Sequence, residues 1–257
     1  MTSIIQQGSV THRTDGHGIA TLTFEHPAHN SLPGRLLQEL TDAIDTLGGH
    51  ADVRVIVLRS GGDRTFCAGA SFDELLAIED LAEGKEFFSG FARVINAVRR
   101  CPKFVIARVQ GKAVGGGVGL AAAADYTLAT KYAQLKLSEI AIGIGPFVVG
   151  PAVQRRVGTS AFVQMSLQPK QWFLPAWALE KGLYQEVLPG TGELDDAVAE
   201  LAAELAAYSP AAMQELKAVA WAGTEHWETL LDERAAVSGR LILTPESRAA
   251  LAKIKPN

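Results

Sequence analysis

The chain contains 257 residues, of which 47% are hydrophobic, and this is enough for one large domain or two modest ones. Its net charge of −4, without any run of five like charges, argues against nucleic acid or an acidic membrane surface as a partner. The two cysteines and six histidines lack zinc-ligand spacing, so we expect no disulfide framework, no metal and a reducing cytoplasm as the location. We also expect a soluble protein, because no signal-peptide pattern is present and the longest uncharged stretch, 140–154, is too short to span a membrane.

The first half of the chain shows two rounds of alternating strand and helix patterns. Apolar residues recur at helical spacing in the predicted helices, and nearly continuous apolar runs mark strands that are buried on both faces. In chain order we predict a strand at 19–24, a helix at 36–47, a strand at 53–58, a helix at 85–100 and a strand at 104–109. This order predicts an α/β fold.

The chain changes character after Gly190, where strand patterns disappear. We predict helices at 193–208, 210–221 and 226–243, and a short one after Thr244. Two of these starts place a hydroxyl residue before a proline, which is a typical helix beginning. We therefore divide the chain into a core at 1–192 and a helical region at 193–257, which would cover the core or contact a neighbouring subunit.

Glycine is abundant, with 25 residues, and two glycine-bearing loops each lie between a predicted strand and a predicted helix. One contains Gly69 and the other contains the triplet 115–117. Such loops can direct two free backbone N–H groups at one point and so form an oxyanion hole, or they can simply allow close packing of helix on strand. The spacings of a dinucleotide fingerprint, a P-loop and a hydrolase nucleophile elbow are absent.

Four short segments match, in order, the motifs of a known family. They are Asn-Ser-Leu at 30–32, Phe-Cys-Ala-Gly-Ala at 66–70, Val-Gly-Gly-Gly at 114–117 and Leu-Ser-Glu at 137–139. Together they resemble the crotonase superfamily, the enoyl-CoA hydratase/isomerase family, over about residues 15–190. The resemblance implies a crotonase-like spiral of ββα units with an α-helical C-terminal region, assembled as a homotrimer or homohexamer. It implies an acyl-CoA thioester substrate that brings its own coenzyme A, and no other cofactor.

The resemblance also assigns roles to particular residues. The backbone N–H groups of Ala70 and Gly116 would bind the thioester oxygen and stabilise an enolate, while Glu139 would act as base and then as acid. A lysine of the C-terminal region would contact the coenzyme A phosphates, although a solvated helix-face charge is the simpler interpretation. The expected substrate-binding residues are Ala68, Ser71, Phe72, Asp73 and Lys217.

The number of acidic groups decides the expected reaction. Family hydratases hold a water between two glutamates, but the first of these positions is Gly119 in this sequence and only Glu139 remains. One carboxylate that takes a proton and returns it suffices to move a double bond, so we predict isomerisation of an enoyl-CoA. Hydration, including that of a branched acyl-CoA, stays open because Asp73 or Glu74 could supply a second acid. Acyl-CoA binding without turnover is a further alternative.

Two other features bear on this prediction. A Clp-type serine peptidase shares the spiral architecture, but no histidine follows the glycine triplet before His226. The segment Pro-Phe-Val-Val-Gly at 146–150 replaces the glycine-rich turn usual in the family, so we expect bulky side chains to reshape the acyl pocket.

Overall fold

A computed structural model of the chain describes residues 7–253. Strands and helices are interspersed up to residue 188, and helices follow to the end of the described part. The strands are β1 Ser9–Thr14, β2 Ile19–Glu25, β3 Val55–Ser60, β4 Thr65–Cys67, β5 Phe104–Val109, β6 Lys112–Val114, β7 Tyr126–Thr130, β8 Leu135–Lys136 and β9 Glu186–Leu188. The helices are α1 Gly34–Gly49, α2 Phe72–Ala77, α3 Leu81–Arg100, α4 Gly116–Ala123, α5 Gly150–Leu167, α6 Pro175–Glu180, α7 Thr191–Ala207, α8 Pro210–Ala220, α9 Trp227–Leu241 and α10 Pro245–Leu251. A short 3-10 helix spans Glu139–Ile142.

The larger sheet contains six strands in the order β1-β2-β3-β5-β7-β9, and only β1 runs antiparallel to its neighbour. Strand β3 is buried on both faces because its alternate side chains enter two different hydrophobic clusters. Val55 and Val57 face α7, whereas Ile56 and Leu58 join the main core with α1 and α3. The predicted α/β fold class is thus confirmed, and the predicted strands are central ones.

The smaller sheet positions the three loops that matter for function. Its strands β4, β6 and β8 are parallel neighbours in that order, although they come from separate parts of the chain. The carboxyl ends of parallel strands meet at the same edge of a sheet, so the segments that follow these strands lie side by side there. Those segments begin at residues 68, 115 and 137, and each contains one of the motifs identified in the sequence.

The C-terminal helices pack on the core in the order predicted. Helix α7 covers the outer face of the large sheet with Leu194, Val198 and Ala202. The boundary predicted at residue 192 lies in the first turn of this helix. Helix α9 crosses α3 so closely that a Cβ on Gly84 would lie 2.8 Å from the Cα of Gly239. Helix α10 lies against the 3-10 helix. Among residues 7–253 no helix is long and apolar enough to span a membrane.

A buried ion pair joins helix α8 to the large sheet. The Lys217 Nζ lies 2.8 Å from Asp125 Oδ2, and both side chains are only 3% exposed. Lys217 also donates to the carbonyl oxygen of Lys103 at 2.7 Å, while Asp125 accepts from the N–H of Val105 and from the indole N–H of Trp221. Both charges are therefore satisfied by partners inside the protein, as a buried pair requires.

We expect Lys217→Met to destabilise the protein by about 3–5 kcal/mol, because it leaves the Asp125 carboxylate buried without its counter-ion. Lys85→Met is a matched control, since the Lys85–Asp232 pair is 43% and 55% exposed and should contribute only ~0–1 kcal/mol. Urea unfolding of both variants measures the difference. Equal losses of stability in the two variants would contradict a structural role for Lys217.

Candidate active site

An apolar cavity of about 170 Å³ lies at the edge where β4, β6 and β8 end. Five phenylalanines line it, three of them from α3, and the whole 144–149 segment also belongs to the lining. Glu139 is the one ionisable residue among the lining residues, all of which belong to the described part of the chain. The phenylalanines are Phe72, Phe87, Phe88, Phe91 and Phe147.

Two backbone N–H groups, those of Ala70 and Gly116, belong to residues that line this cavity. The neighbouring amides are engaged: Leu32 donates to the carbonyl oxygen of Gly69 at 2.8 Å, and Ser71 donates to that of Leu32. Gly116 begins α4, where N–H groups have no partner inside the helix. Within residues 7–253, neither the Ala70 nor the Gly116 N–H has a hydrogen-bond acceptor.

The two glycine loops are in direct contact, which brings these donors to the same wall. Gly69 has φ +94°, and a Cβ on it would lie 3.0 Å from the carbonyl oxygen of Val114 and 3.6 Å from the Gly116 nitrogen. A side chain at position 69 would therefore be strained and would push the loops apart. Two free N–H groups on adjacent loops can serve as a pair of donors for a developing oxyanion.

Glu139 lies at the start of the 3-10 helix, against the other glycine loop. Gly115 has φ +52°, and a Cβ there would lie 3.0 Å from Glu139 Oε1. The Oε2 atom is buried and has no hydrogen-bond partner within the described residues. Burial raises the pKa of the Glu139 carboxyl from its ordinary 4.5 to about 7, although the N–H groups of Glu139 and Ser138 oppose the shift. A carboxyl with this pKa can both accept and return a proton near neutral pH.

The structure brings together most of the residues predicted from the sequence. The cavity lining contains Ala68, Ala70, Phe72, Gly116 and Glu139. Those five come from three loops that are distant in sequence and adjacent in space, as the parallel order of the small sheet requires.

Two predicted substrate-binding residues lie beside the cavity rather than in its wall. Ser71 is 8% exposed and caps α2, where its hydroxyl accepts a hydrogen bond from the Glu74 N–H at 3.4 Å. Asp73 is exposed on α2 and does not line the cavity. The carboxylate of Glu74 is occupied, since its Oε2 accepts from the Gly34 N–H at 2.8 Å. Neither acid of α2 is therefore placed as a second catalytic carboxylate.

The position of Lys217 contradicts the prediction that it contacts phosphate. Its ammonium is paired with Asp125 in the interior and is not among the groups that line the cavity. A lysine with an exposed side chain would be needed to reach a phosphate in solvent. The sequence could not show this, because helical spacing does not reveal which residue lies opposite.

Several lining residues were not singled out in the sequence. Phe87, Phe88 and Phe91 recur on one side of α3 at spacings that predict only a core-facing helix. Ser238 reaches the cavity from α9, so the C-terminal region contributes to the wall. No local pattern marks these residues as functional, since apolar side chains on a helix usually serve packing alone.

Position 119, where the resemblance places the first glutamate of hydratases, is closed by a neighbouring side chain. A Cβ on Gly119 would lie 2.7 Å from the Cβ of Val149 and closer still to its Cγ1. Val149 comes from the 146–150 segment and lines the cavity. Val149 is therefore one of the bulky residues expected to reshape the pocket, and it both blocks position 119 and lines the cavity.

Two free backbone N–H groups, a buried carboxyl and apolar walls can together stabilise an oxyanion and move a proton. The sequence matches the family model described as enoyl-CoA hydratase/isomerase over residues 14–244. The chain therefore belongs to the enoyl-CoA hydratase/isomerase family, and the resemblance to the crotonase superfamily is confirmed.

Individual relatives agree with this assignment but differ in their reactions. The chain is 32% identical, over 77% of its length and 75% of the relative, to a Rhodococcus jostii (strain RHA1) protein named (7aS)-7a-methyl-1,5-dioxo-2,3,5,6,7,7a-hexahydro-1H-indene-carboxyl-CoA hydrolase. It is 30% identical, over 77% of its length and 76% of the relative, to a Bacillus subtilis (strain 168) protein named "Probable enoyl-CoA hydratase". The crystal structure of enoyl-CoA hydratase from Bacillus halodurans shares the fold, with a TM-score of 0.88 at 21% identity over 95% of this chain and 99% of the other.

The raised pKa of Glu139 predicts a pH-dependent difference in stability between the wild type and Glu139→Gln. The native protein binds the Glu139 proton more tightly than the unfolded chain does, so the favourable contribution is complete below pH 4.5 and is lost as the pH rises through about 7. We expect equal stability near pH 4.5 and a glutamine variant more stable by on the order of 3 kcal/mol above pH 8.

Urea unfolding across this pH range measures the difference, and subtracting the two curves cancels the titration of all other groups. A difference that does not change with pH would contradict the buried, partly protonated state of Glu139.

Proposed function

We propose that this protein isomerises the double bond of an enoyl-CoA thioester from the 3,4 to the 2,3 position, with Glu139 as the single acid–base group. The observation that supports this most strongly is the composition of the cavity wall, in which Glu139 is the one ionisable residue among the lining residues of the described chain. Its family membership gives the substrate class, an acyl-CoA thioester. The reaction itself differs among relatives, so it has to be argued from the site.

The proposed reaction begins with the thioester oxygen accepting hydrogen bonds from the N–H groups of Ala70 and Gly116. The Glu139 carboxylate removes a proton from C2, and the electron pair of that C–H bond passes into a dienolate whose negative charge rests on the oxygen. The protonated Glu139 then delivers the same proton to C4, and the double bond ends between C2 and C3. Atoms and charges balance without water, metal or redox cofactor, and coenzyme A is part of the substrate.

Hydration is the less favoured reaction for this site. It requires one group to activate a water and another to deliver a proton to carbon, and loss of either typically costs about 10²-fold or more in rate. Apart from the carboxyl of Glu139, the side-chain polar atoms of the lining are the hydroxyls of Ser138 and Ser238. A neutral hydroxyl is a poor substitute for a carboxylate as a base.

Glu139→Gln should lower the turnover of 3-enoyl-CoA by about 10²–10⁴-fold, because the amide cannot accept and return the proton. The measurement is the rise in absorbance of the conjugated thioester. Activity of the wild type should increase with pH up to about 7, since the carboxylate is the active form at the start of the cycle.

Asp73→Asn serves as the control, because this carboxylate is exposed and lies outside the cavity lining. It should retain nearly full activity. Rapid hydration of 2-enoyl-CoA with no turnover of 3-enoyl-CoA would overturn the proposed isomerisation. Tight acyl-CoA binding without turnover of either thioester would favour a binding protein.

We further propose that the chain assembles as a homotrimer or homohexamer. Large apolar side chains are exposed on and between α5 and α6, which is the kind of surface that a neighbouring subunit covers. These are Val163, Leu167, Leu174 and Leu179. Light scattering should give a mass of three or six chains, and a monomer at micromolar concentration would contradict the assembly.

A further inference from the structure

Two glycines, the N-cap residue Gly115 and Gly119, lie at the start of α4. The Gly119 N–H donates to the carbonyl oxygen of Gly115 at 3.2 Å, so these positions are four residues and about one turn apart. The space that a side chain would need beside Gly115 is occupied by the Glu139 carboxylate, and the space beside Gly119 is occupied by Val149. Val149 and the Glu139 carboxyl therefore each fill the space beside one of these glycines, and both line the cavity.

Val149 is firmly held in this place. It is 5% exposed and forms the N-terminal boundary of α5, where its carbonyl oxygen accepts from the Val153 N–H at 3.1 Å. The close approach to position 119 involves the Cβ of Val149 as well as its Cγ1. Since rotation about χ1 does not move Cβ, a different rotamer of Val149 would not make room for a side chain at 119.

We propose that Val149 is a specificity-determining residue that restricts this site to proton transfer by one carboxylate. Its side chain fills the space in which a second polar group and a water would otherwise lie beside Glu139. This inference rests on the proposed function, and it names the residue that keeps the enolate chemistry from being diverted to hydration.

The geometry indicates what would follow if that space were opened. Glu139 and Val149 line the same cavity. A carboxylate that projects from position 119 into the volume released by Val149→Gly would therefore enter the cavity that holds the Glu139 carboxyl, and the two carboxylates could hold a water between them. Such a pair supplies the base and the acid that the addition of water requires.

The packing argument is tested first, by measuring stability alone. Gly119→Ala should lower the urea midpoint, because the added Cβ clashes with the Cβ and Cγ1 of Val149. Val149→Gly removes both atoms and should remove that loss, so that the double variant unfolds at the midpoint of Val149→Gly. Val153→Gly, a truncation of a fully buried residue on the same helix, is the matched control and should not rescue Gly119→Ala. Independent, additive effects of Gly119→Ala and Val149→Gly would overturn the placement on which the proposal depends.

The catalytic argument is tested with the variant Gly119→Glu/Val149→Gly. We expect it to hydrate 2-enoyl-CoA at least about tenfold faster than the wild type and than Gly119→Glu alone, and adding Glu139→Gln should remove the gain. A folded double variant that binds the thioester with unchanged KM yet gains no hydration would overturn the role of Val149. If the wild type proves inactive on 3-enoyl-CoA while the double variant gains hydration, the proposed isomerisation fails and the role of Val149 stands.

Discussion

The burial of one carboxyl group without an ionic partner is the constraint on which the site depends. Placing the charge of Glu139 in an apolar cavity is unfavourable, and the protein responds by raising the pKa of the group to about 7 rather than by supplying a cation. A lysine or arginine in the wall would have lowered that pKa and left a carboxylate too weak as a base for a carbon acid. The apolar wall therefore sets the strength of the base in the cavity proposed to hold the acyl chain.

The fold offers backbone N–H groups, rather than charged side chains, for stabilising the negative charge that would form on the substrate. In the proposed reaction, Glu139 accepts a proton from the substrate and the negative charge passes to the thioester oxygen. The N–H groups of Ala70 and Gly116 would stabilise that charge, and because they carry no net charge they do not perturb the carboxyl in the ground state. Three short parallel strands, drawn from distant parts of the chain, place these donors and Glu139 at one edge. The glycines at 69 and 115 are needed because φ is positive there and neighbouring atoms occupy the Cβ positions.

Local patterns predicted the central strands and the amphipathic helices because those patterns depend on burial, which repeats every 2 or 3.6 residues along an element. They missed the true start of α3, where the Asp80 side chain accepts from the N–H groups of Ala82 and Glu83, since a capping residue in a charged stretch resembles an ordinary surface acid. The edge strand β1 was also missed because it is polar and mostly exposed.

The role of Lys217 could not be predicted because it depends on Asp125, which lies 92 residues away in sequence.

Gly119 shows why a residue type alone is an incomplete guide to chemistry. In isolation it signifies a missing acid, and simple restoration of a glutamate would then be expected to restore hydration. In the structure Val149 occupies the space that a side chain at position 119 would need, so the glycine and the valine depend on each other for packing. A change of reaction at this site requires both positions to change, because either change alone gives a clash or a cavity. Because either single substitution would destabilise the protein, the reaction of the site is coupled to the packing of α4 against α5.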